Sequence, residues 1–197
     1  MLSNGYTPIP AGKIASVVVY LEMTGPPPAL LRPRRTDLEL LRFGGEDGAR
    51  YRATFRAVGE RWLWFSRLAL SHADLAATLS DPEVEAYEVR LGGRPVGLLE
   101  LDFRVAPDCE LAFLGLVESA IGSGAGRALM DEALRRAWSR PITRFWVHTC
   151  HLDHPGAIAF YRRSGFRTYA QAIEIDDDPR LTGLLPRTAG PHWPVIG

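Results

Sequence analysis

The sequence is poor in the features that mark several large classes of protein. It has two cysteines in 197 residues, Cys109 and Cys150, which are too few to hold a domain of this size together with disulfides. Lys13 is its single lysine, and its 23 basic side chains are balanced by 23 acidic ones. A chain without net charge has no general attraction for nucleic acid or an anionic membrane. We therefore expect free thiols, and neither a nucleic-acid nor a membrane partner.

Long hydrophobic runs are also missing. The longest, around residues 15–21, is too short to cross a bilayer as a helix. Residues 1–12 lack the charged-then-apolar order of a secretory signal. With 46% hydrophobic residues, the chain can still close one sizeable core. These features predict a soluble, cytoplasmic protein with a single domain.

The single domain, residues 1–197, divides by pattern into four parts. Residues 1–36 contain a Val-rich strand over 16–23 and a proline-rich connector. Residues 37–82 are predicted to be helical, because apolar side chains recur every three or four positions from 46 to 65 and Ser71 can cap a further helix. Residues 83–175 form the core, and residues 176–197 form a C-terminal arm, either ordered or frayed.

The core part alternates between strand and helix patterns. Residues 84–91, 95–103 and 110–117 predict an antiparallel meander, because they are β-rich runs separated by glycine and proline. Predicted helices follow over 128–138 and 157–163, and predicted strands over 144–150 and 166–175. The sequence therefore predicts an α/β (α+β) domain.

A glycine-rich turn is the most informative segment. Gly122, Gly124 and Gly126 alternate before a helix, where the backbone can approach a ligand and unpaired N–H groups attract an anion such as a diphosphate. The same glycines could serve a tight turn alone. Arg127 and the absence of a Lys-Ser/Thr pair exclude a P-loop, and the antiparallel strands before the turn disfavour a dinucleotide fingerprint.

Three stretches in the same order resemble the GNAT (N-acetyltransferase) superfamily of bacterial type. They are the strand at 110–117, the G-x-G-x-G-R-A-L turn, and the later set Ala157, Tyr161, Gly165 and Phe166. The resemblance covers about residues 80–170. It departs from the family pattern at Ile121, where a polar residue is usual, and at His154, which takes the place of an asparagine.

The resemblance implies a fold and a reaction. The fold would be a mixed, mostly antiparallel central sheet flanked by helices on both faces, with the strands at 110–117 and 144–150 splayed apart. The reaction would move an acetyl group from acetyl-CoA (coenzyme A) to a primary amine by direct attack in a ternary complex, without a metal. The acceptor would be a small molecule or a peptide, and a homodimer is compatible with the sequence.

The resemblance also implies a set of cofactor contacts. Backbone groups of Leu116 and Val117 would pair with pantetheine. Gly115 beside them would form a bulge that turns those groups outward. Amides of the turn would bind the diphosphate, and the second motif would complete the site. The implied contacts are Leu116, Val117, Gly122, Ser123, Gly124, Ala125, Gly126, Arg127, His154, Ala157 and Tyr161.

Three side chains are candidates for acid–base chemistry. The resemblance places Tyr161 as the acid that protonates the departing thiolate, although it could instead pack as a core aromatic beside Phe160. Glu100 and Glu110, on neighbouring predicted strands, are candidate bases. Glu100 either points into a polar cleft or faces solvent by ordinary strand alternation.

Other clusters allow competing interpretations. Residues 148–154 hold four soft or borderline metal ligands, His148, Cys150, His151 and His154, but no second pair with zinc-like spacing occurs elsewhere. We therefore expect Asp153 to cap a helix and no metal to bind. Trp62, Trp64 and Phe65 line an acceptor pocket or, as we favour, pack in the core. The chain could also be a non-catalytic acyl-CoA sensor, an interaction domain or, through Cys150, a hydrolase.

Overall fold

The computed structural model describes residues 4–27 and 33–197. Part of the predicted proline-rich connector, residues 28–32, lies outside the described residues. The strands are β1 Lys13–Met23, β2 Leu38–Arg42, β3 Val84–Leu91, β4 Arg94–Asp102, β5 Asp108–Leu116, β6 Arg144–Cys150 and β7 Arg167–Asp177. The helices are α1 Gly48–Gly59, α2 Ser66–Ala69, α3 His72–Ser80, α4 Ala125–Ala137 and α5 Ala157–Arg163.

The strands form one seven-stranded sheet in the order β2-β3-β4-β5-β6-β1-β7. All neighbours are antiparallel except β5 and β6, which are parallel. The predicted fold class is therefore confirmed, as is the meander of β3, β4 and β5. The short edge strand β2 was not predicted.

Each face of the sheet carries its own hydrophobic core. On one face, α4 buries Leu129, Met130, Ala133 and Leu134, which recur at helical spacing, beside α5. On the other face, α1, α2 and α3 pack with part of the C-terminal arm. Helices on both faces thus hold the sheet between two layers.

The predicted helical region before β3 is broken into several short segments. Leu63 adopts a left-handed backbone conformation with φ of 58°, which ends the 3-10 turn Glu60–Trp62 and redirects the chain. The predicted cap of α3 is confirmed, since the Ser71 hydroxyl accepts a hydrogen bond from the amide of Asp74 at 3.1 Å. Within the described ranges, no helix is long and apolar enough to cross a membrane.

The first two residues of the predicted C-terminal arm, 176–197, belong to β7, and the remainder, residues 178–197, is ordered rather than frayed. Arg180 is buried, pairs with Asp178 at 2.7 Å, and donates hydrogen bonds to the carbonyl oxygens of Trp193 (2.8 Å) and Pro194 (3.0 Å). Leu185 is buried in the core on the α1 face. The arm therefore forms part of the folded domain.

Candidate active site

The sheet opens into a fork between β5 and β6. The two strands pair only from Asp108 opposite Arg144 to Glu110 opposite Trp146, and they separate beyond that point. A cleft of about 770 Å³ fills the gap and is lined by residues of both hydrophobic cores. The predicted splaying of these strands is confirmed.

The bulge in β5 lies at Ala112, so its prediction at Gly115 is wrong. Glu100 of β4 lies opposite Phe113 while Leu101 lies opposite Leu111, which leaves Ala112 as the extra residue. Gly115 is in regular register, and a side chain there would collide with Val58 and Trp64. Glycine at 115 therefore serves helix packing against the sheet.

One of the two predicted backbone contacts from β5 is also wrong. The amide of Val117 donates to the carbonyl of Val96 at 2.8 Å, and its carbonyl accepts from the amide of Ala120 at 2.9 Å. Because backbone groups alternate in direction along an antiparallel strand, those of Leu116 and Leu114 point away from β4 and towards the fork. Leu116 stays a predicted contact, and Leu114, which the sequence did not single out, joins it.

The glycine-rich turn presents free amides to the cleft. Gly122 and Gly124 have φ of 84° and 82°, a conformation that side chains disfavour, and α4 begins at Ala125 rather than at the predicted residue 128. The Ser123 hydroxyl accepts from the amide of Ala125 at 3.3 Å. Within the described ranges, no residue accepts a hydrogen bond from the amides of Gly126 and Arg127. These amides, at the positive end of a helix, can bind an anion.

Two arginines accompany this turn. The side chain of Arg127 lines the cleft. Arg35, which sequence reasoning missed, donates from Nη1 to the carbonyl of Ser123 at 2.9 Å while Asp37 holds its other nitrogens. Arg35 lies 88 residues before Ser123, so no local pattern could reveal this contact.

The segment before α5 differs from the expected helix cap. Asp153 does not cap α5, whose N-cap is Gly156 without a side-chain hydrogen bond. Asp153 instead accepts from the Trp64 indole (2.8 Å), the Thr149 hydroxyl (2.7 Å) and the amide of Cys150 (3.0 Å). The prediction that Asp153 caps the helix was therefore wrong, because these three donors already form hydrogen bonds with its carboxylate.

Three predicted cofactor residues around α5 do line the cleft: His154, Ala157 and Tyr161. The His154 ring accepts a hydrogen bond from the amide of Gly156 at 3.0 Å and lies 5.3 Å from the Trp62 ring. It therefore closes one end of the cleft together with Trp62.

Tyr161 combines the two interpretations that the sequence left open. Its ring packs against Phe160 and Phe166, and it also faces the cleft. Burial, and secondarily the charge of Asp153, raises the pKa of its phenol above the ordinary value. Its hydroxyl makes no hydrogen bond to any other described residue. The phenol therefore stays protonated at neutral pH and is free to donate.

Glu100 is enclosed by the protein. It is 0% exposed, so the alternative that it faces solvent is wrong. Arg67 donates to it at 2.5 and 3.1 Å, and the Tyr51 hydroxyl makes a short hydrogen bond to its other oxygen. Burial and the charge of Glu100 raise the pKa of Tyr51 well above its ordinary value. Glu100 does not line the cleft.

Glu110 stands at the branch point of the fork. Burial raises the pKa of its carboxyl above the ordinary value, and positive charge on the neighbouring His148 opposes that rise. His148 lies on β6, two residues beyond the last paired residue Trp146, and its exposed ring lines the cleft. The structure thus brings Glu110 and His148 together and keeps Glu100 in a separate ion pair.

The aromatic residues after α1 serve both core and cavity. Trp64 packs against Phe55 and Phe113 and also lines the cleft, as does Trp62. Phe65 lines a second cavity of about 130 Å³, which shares its walls with the cleft. The core interpretation is therefore incomplete for these residues.

The cysteine and metal alternatives gain no geometric support. Cys109 and Cys150 are free thiols, and burial raises the pKa of both, which lowers the fraction of reactive thiolate. In the part of the chain that the structure describes, no three His, Cys, Asp or Glu side chains converge as a metal-binding group.

Comparison with known proteins identifies a family for this arrangement. Residues 51–166 match the model of the Acetyltransferase (GNAT) family. Similar solved structures include a GCN5-related N-acetyltransferase from Sphaerobacter thermophilus, with 20% identity, TM-score 0.60, and coverage of 83% of this chain and 52% of that one. A putative GNAT acetyltransferase from Novosphingobium aromaticivorans has 15% identity, TM-score 0.60, and coverage of 86% and 70%.

A protein of unknown function from Staphylococcus epidermidis is similarly related, with 15% identity, TM-score 0.61, and coverage of 85% of this chain and 64% of that one. This chain thus spans less than two thirds of the length of two of these three structures. At such identities the likeness concerns the fold. No curated protein sequence matches the chain.

Proposed function

Because the chain belongs to the GNAT acetyltransferase family, we propose that it moves an acetyl group from acetyl-CoA to a primary amine by direct attack in a ternary complex. The observation that carries this proposal is the fork between β5 and β6, with unpaired backbone groups along one edge and free amides at one end. A strand-like arm with a diphosphate matches both features.

The turn fits a diphosphate in its steric details as well. A Cβ on Gly126 would meet only Leu116 Cδ1, at 3.7 Å, so the protein's own packing does not require glycine there. Space at Gly126, two free amides and the Arg127 side chain together suit a ligand that approaches the backbone closely. The predicted contacts at Gly122, Ser123, Gly124, Ala125 and His154 would complete this end of the cleft.

Acid–base roles follow from the surroundings of each group. Tyr161 is protonated and would give its proton to the departing thiolate. Glu110, rather than Glu100, would support proton removal from the amine, because Arg67 and Tyr51 already form hydrogen bonds with Glu100. Glu100 would hold Arg67 and α2 in place.

The acceptor would enter from the side of α1. Trp62, Trp64 and Phe113 line this side of the cleft, and Thr149 and Asp153 connect it with the second cavity. An apolar wall with a few polar groups suits the body of a small molecule or a peptide N-terminus that carries an amine.

A thiol-release assay tests the proposal. We expect the purified protein to release CoA thiol from acetyl-CoA when a suitable member of a panel of small amines and peptides is added, and calorimetry to show CoA binding. CoA binding without turnover on any amine would favour a sensor. Absence of CoA binding would contradict the proposal and favour an interaction domain.

A further inference from the structure

His148 occupies the place where the two cavities meet. Its exposed ring lines both the cleft and the second cavity, which also share Trp62, Trp64, Thr149 and Asp153. On the proposed acceptor side, an amine that enters past the aromatic wall towards the fork would therefore pass this imidazole.

The sheet register places His148 beside Glu110. Glu110 lies opposite Trp146 in the last parallel pair, and paired residues of parallel strands project to the same face. His148, two residues after Trp146, shares that face, and its ring contacts the Trp146 ring at 6.1 Å and the Tyr20 ring at 5.9 Å. After burial, positive charge on His148 has the largest effect on the pKa of Glu110, which it lowers. Two aromatic rings thus hold the imidazole near a half-buried carboxylate.

We propose that His148 is the catalytic base of the amine transfer and that Glu110 is the positioning residue that stabilises its protonated form. This inference rests on the proposed function. An imidazole suits the role because its ordinary pKa, about 6.5, lies near the pH of the cell interior. Glu110 stabilises the imidazolium that forms, as a carboxylate beside a histidine does in other proton-transfer sites.

The proton balance uses two groups on opposite sides of the fork. The neutral amine nitrogen attacks the thioester carbonyl carbon, the N–C bond forms, and His148 takes the proton that nitrogen loses. The C–S bond breaks, and the sulfur takes a proton from Tyr161. Water then carries the proton from the imidazolium to the phenolate, so that amine and acetyl-CoA become amide and CoA thiol with no net proton change.

Other titratable groups contact the His148 ring or line the same cavities. They lie on β1, the loop before α5, and β7, and comprise Tyr20, Asp153, His154, Glu174 and Asp176. Arg67, Glu100 and Asp102 act on the other member of the pair, Glu110. Arg67 is already neutralised by Glu100. Among the charged neighbours of Glu110, His148 has the largest effect on its pKa, so removal of either group tests the pair.

The pH profile of kcat tests the roles. With both substrates saturating, which removes ionisation of the free acceptor from the profile, we expect His148→Gln to lower kcat at least about 100-fold and to abolish the acidic limb. We expect Glu110→Gln to move that limb to lower pH, because a protonated base would lose its anionic neighbour. His72→Gln, at the exposed start of α3, is the matched control and should change neither quantity.

An NMR titration tests the pair without any acceptor. The carboxyl signal absent from Glu110→Gln identifies Glu110. We expect the pKa of Glu110 to be higher in His148→Gln than in the wild type, because the positive charge that opposes its rise is lost. An unchanged Glu110 pKa, or an unchanged kcat profile in His148→Gln, would overturn this inference while wild-type turnover leaves the proposed function standing. Absence of CoA binding to the wild type would instead remove the proposed function.

Discussion

Glu100 and Glu110 are identical side chains on neighbouring strands, but their burial and their partners differ. Glu100 is fully buried, and its charge is balanced by Arg67 and by a hydrogen bond from Tyr51. Glu110 is only partly buried, and burial raises its pKa while the charge of His148 opposes that rise. The buried ion pair of Glu100 with Arg67 stabilises the fold, since breaking it would leave an uncompensated buried charge. Among the described residues Glu110 has no such ion pair, so under the proposed function its charge can stabilise a neighbouring group that becomes protonated.

Tyr161→Phe tests the proposed acid at this scale. We expect kcat to fall about 100-fold, because the phenol proton is lost, while CoA affinity stays within about twofold. Packing against Phe160 and Phe166 should persist, since the hydroxyl has no hydrogen-bond partner among the described residues.

Steady-state kinetics with calorimetric CoA binding would separate the two quantities for Tyr161→Phe. Tyr169→Phe, an exposed tyrosine that does not line the cleft, provides the control. Wild-type kcat in Tyr161→Phe would assign the residue to packing alone.

Single residues were predictable where their role depends on their own neighbours in the chain. Ser71 follows a local capping rule, and the structure confirms it. Asp153 and Glu100 could not be assigned, because Trp64 lies 89 residues from Asp153 and Arg67 lies 33 residues from Glu100. The sequence around a carboxylate does not indicate which distant donors will form hydrogen bonds with it.

At the scale of elements, the glycines of the turn fall into two kinds. Gly122 and Gly124 have positive φ, so their conformation requires glycine. Gly126 lies in the first turn of α4 with ordinary backbone geometry and with room for a Cβ. Its lack of a side chain is explained by the proposed ligand rather than by the fold.

Gly126→Ala should therefore separate stability from binding. We expect the free energy of unfolding to stay the same or rise by up to about 1 kcal/mol, because alanine favours a helix over glycine. CoA affinity should fall about tenfold, since the methyl group would occupy space next to the diphosphate.

Denaturant unfolding and calorimetry measure these two effects. Gly48→Ala is the matched control, because Gly48 also begins a helix and has room for a Cβ, 3.8 Å from Leu75. If Gly126→Ala bound CoA as tightly as Gly48→Ala does, the turn would not be the diphosphate site.

Elements with strong periodicity were predictable, and irregular ones were not. The apolar face of α4 and the boundaries of β3, β6 and α5 follow from local pattern. The strand β2 is short and lies at the edge of the sheet, where low burial imposes no hydrophobic pattern on its sequence. The bulge at Ala112 depends on how β5 registers with β4, which no single segment encodes.

At the scale of the whole molecule, the C-terminal arm extends the domain beyond the residues that match the family. Arg180 and Asp178 are 3% and 2% exposed, and they connect the arm's two ends through carbonyls near residue 194. His192 in the arm contacts the carbonyl of Leu152 at 3.0 Å and lies 5.6 Å from the Trp62 ring. The arm therefore supports the wall of the cleft from outside.

Arg180→Met should lower the free energy of unfolding by about 3 kcal/mol, because Asp178 would be left as an unpaired buried charge. Arg104→Met is the matched control. Arg104 forms the same i, i+2 pair with Asp102, but the Arg104 side chain is 42% exposed, so its loss should cost less than about 1 kcal/mol. Urea unfolding of the two variants checks the difference, and equal effects would contradict the structural role of the arm.

The same pair gives a pH dependence. The hydrogen bond from Arg180 lowers the pKa of Asp178, so its stabilisation is present above the ordinary carboxyl pKa of about 3.9 and is lost as pH falls through the lower folded value. Part of the acid sensitivity of the wild type should therefore disappear in Arg180→Met.

The fork in the sheet makes the cleft continuous between the two faces of the sheet. Met130 and Tyr161 line the cleft on the α4 and α5 side, whereas Val58 and Trp62 line it on the α1 side. Under the proposed function, acetyl-CoA and the acceptor amine would therefore approach the fork from opposite faces of the sheet.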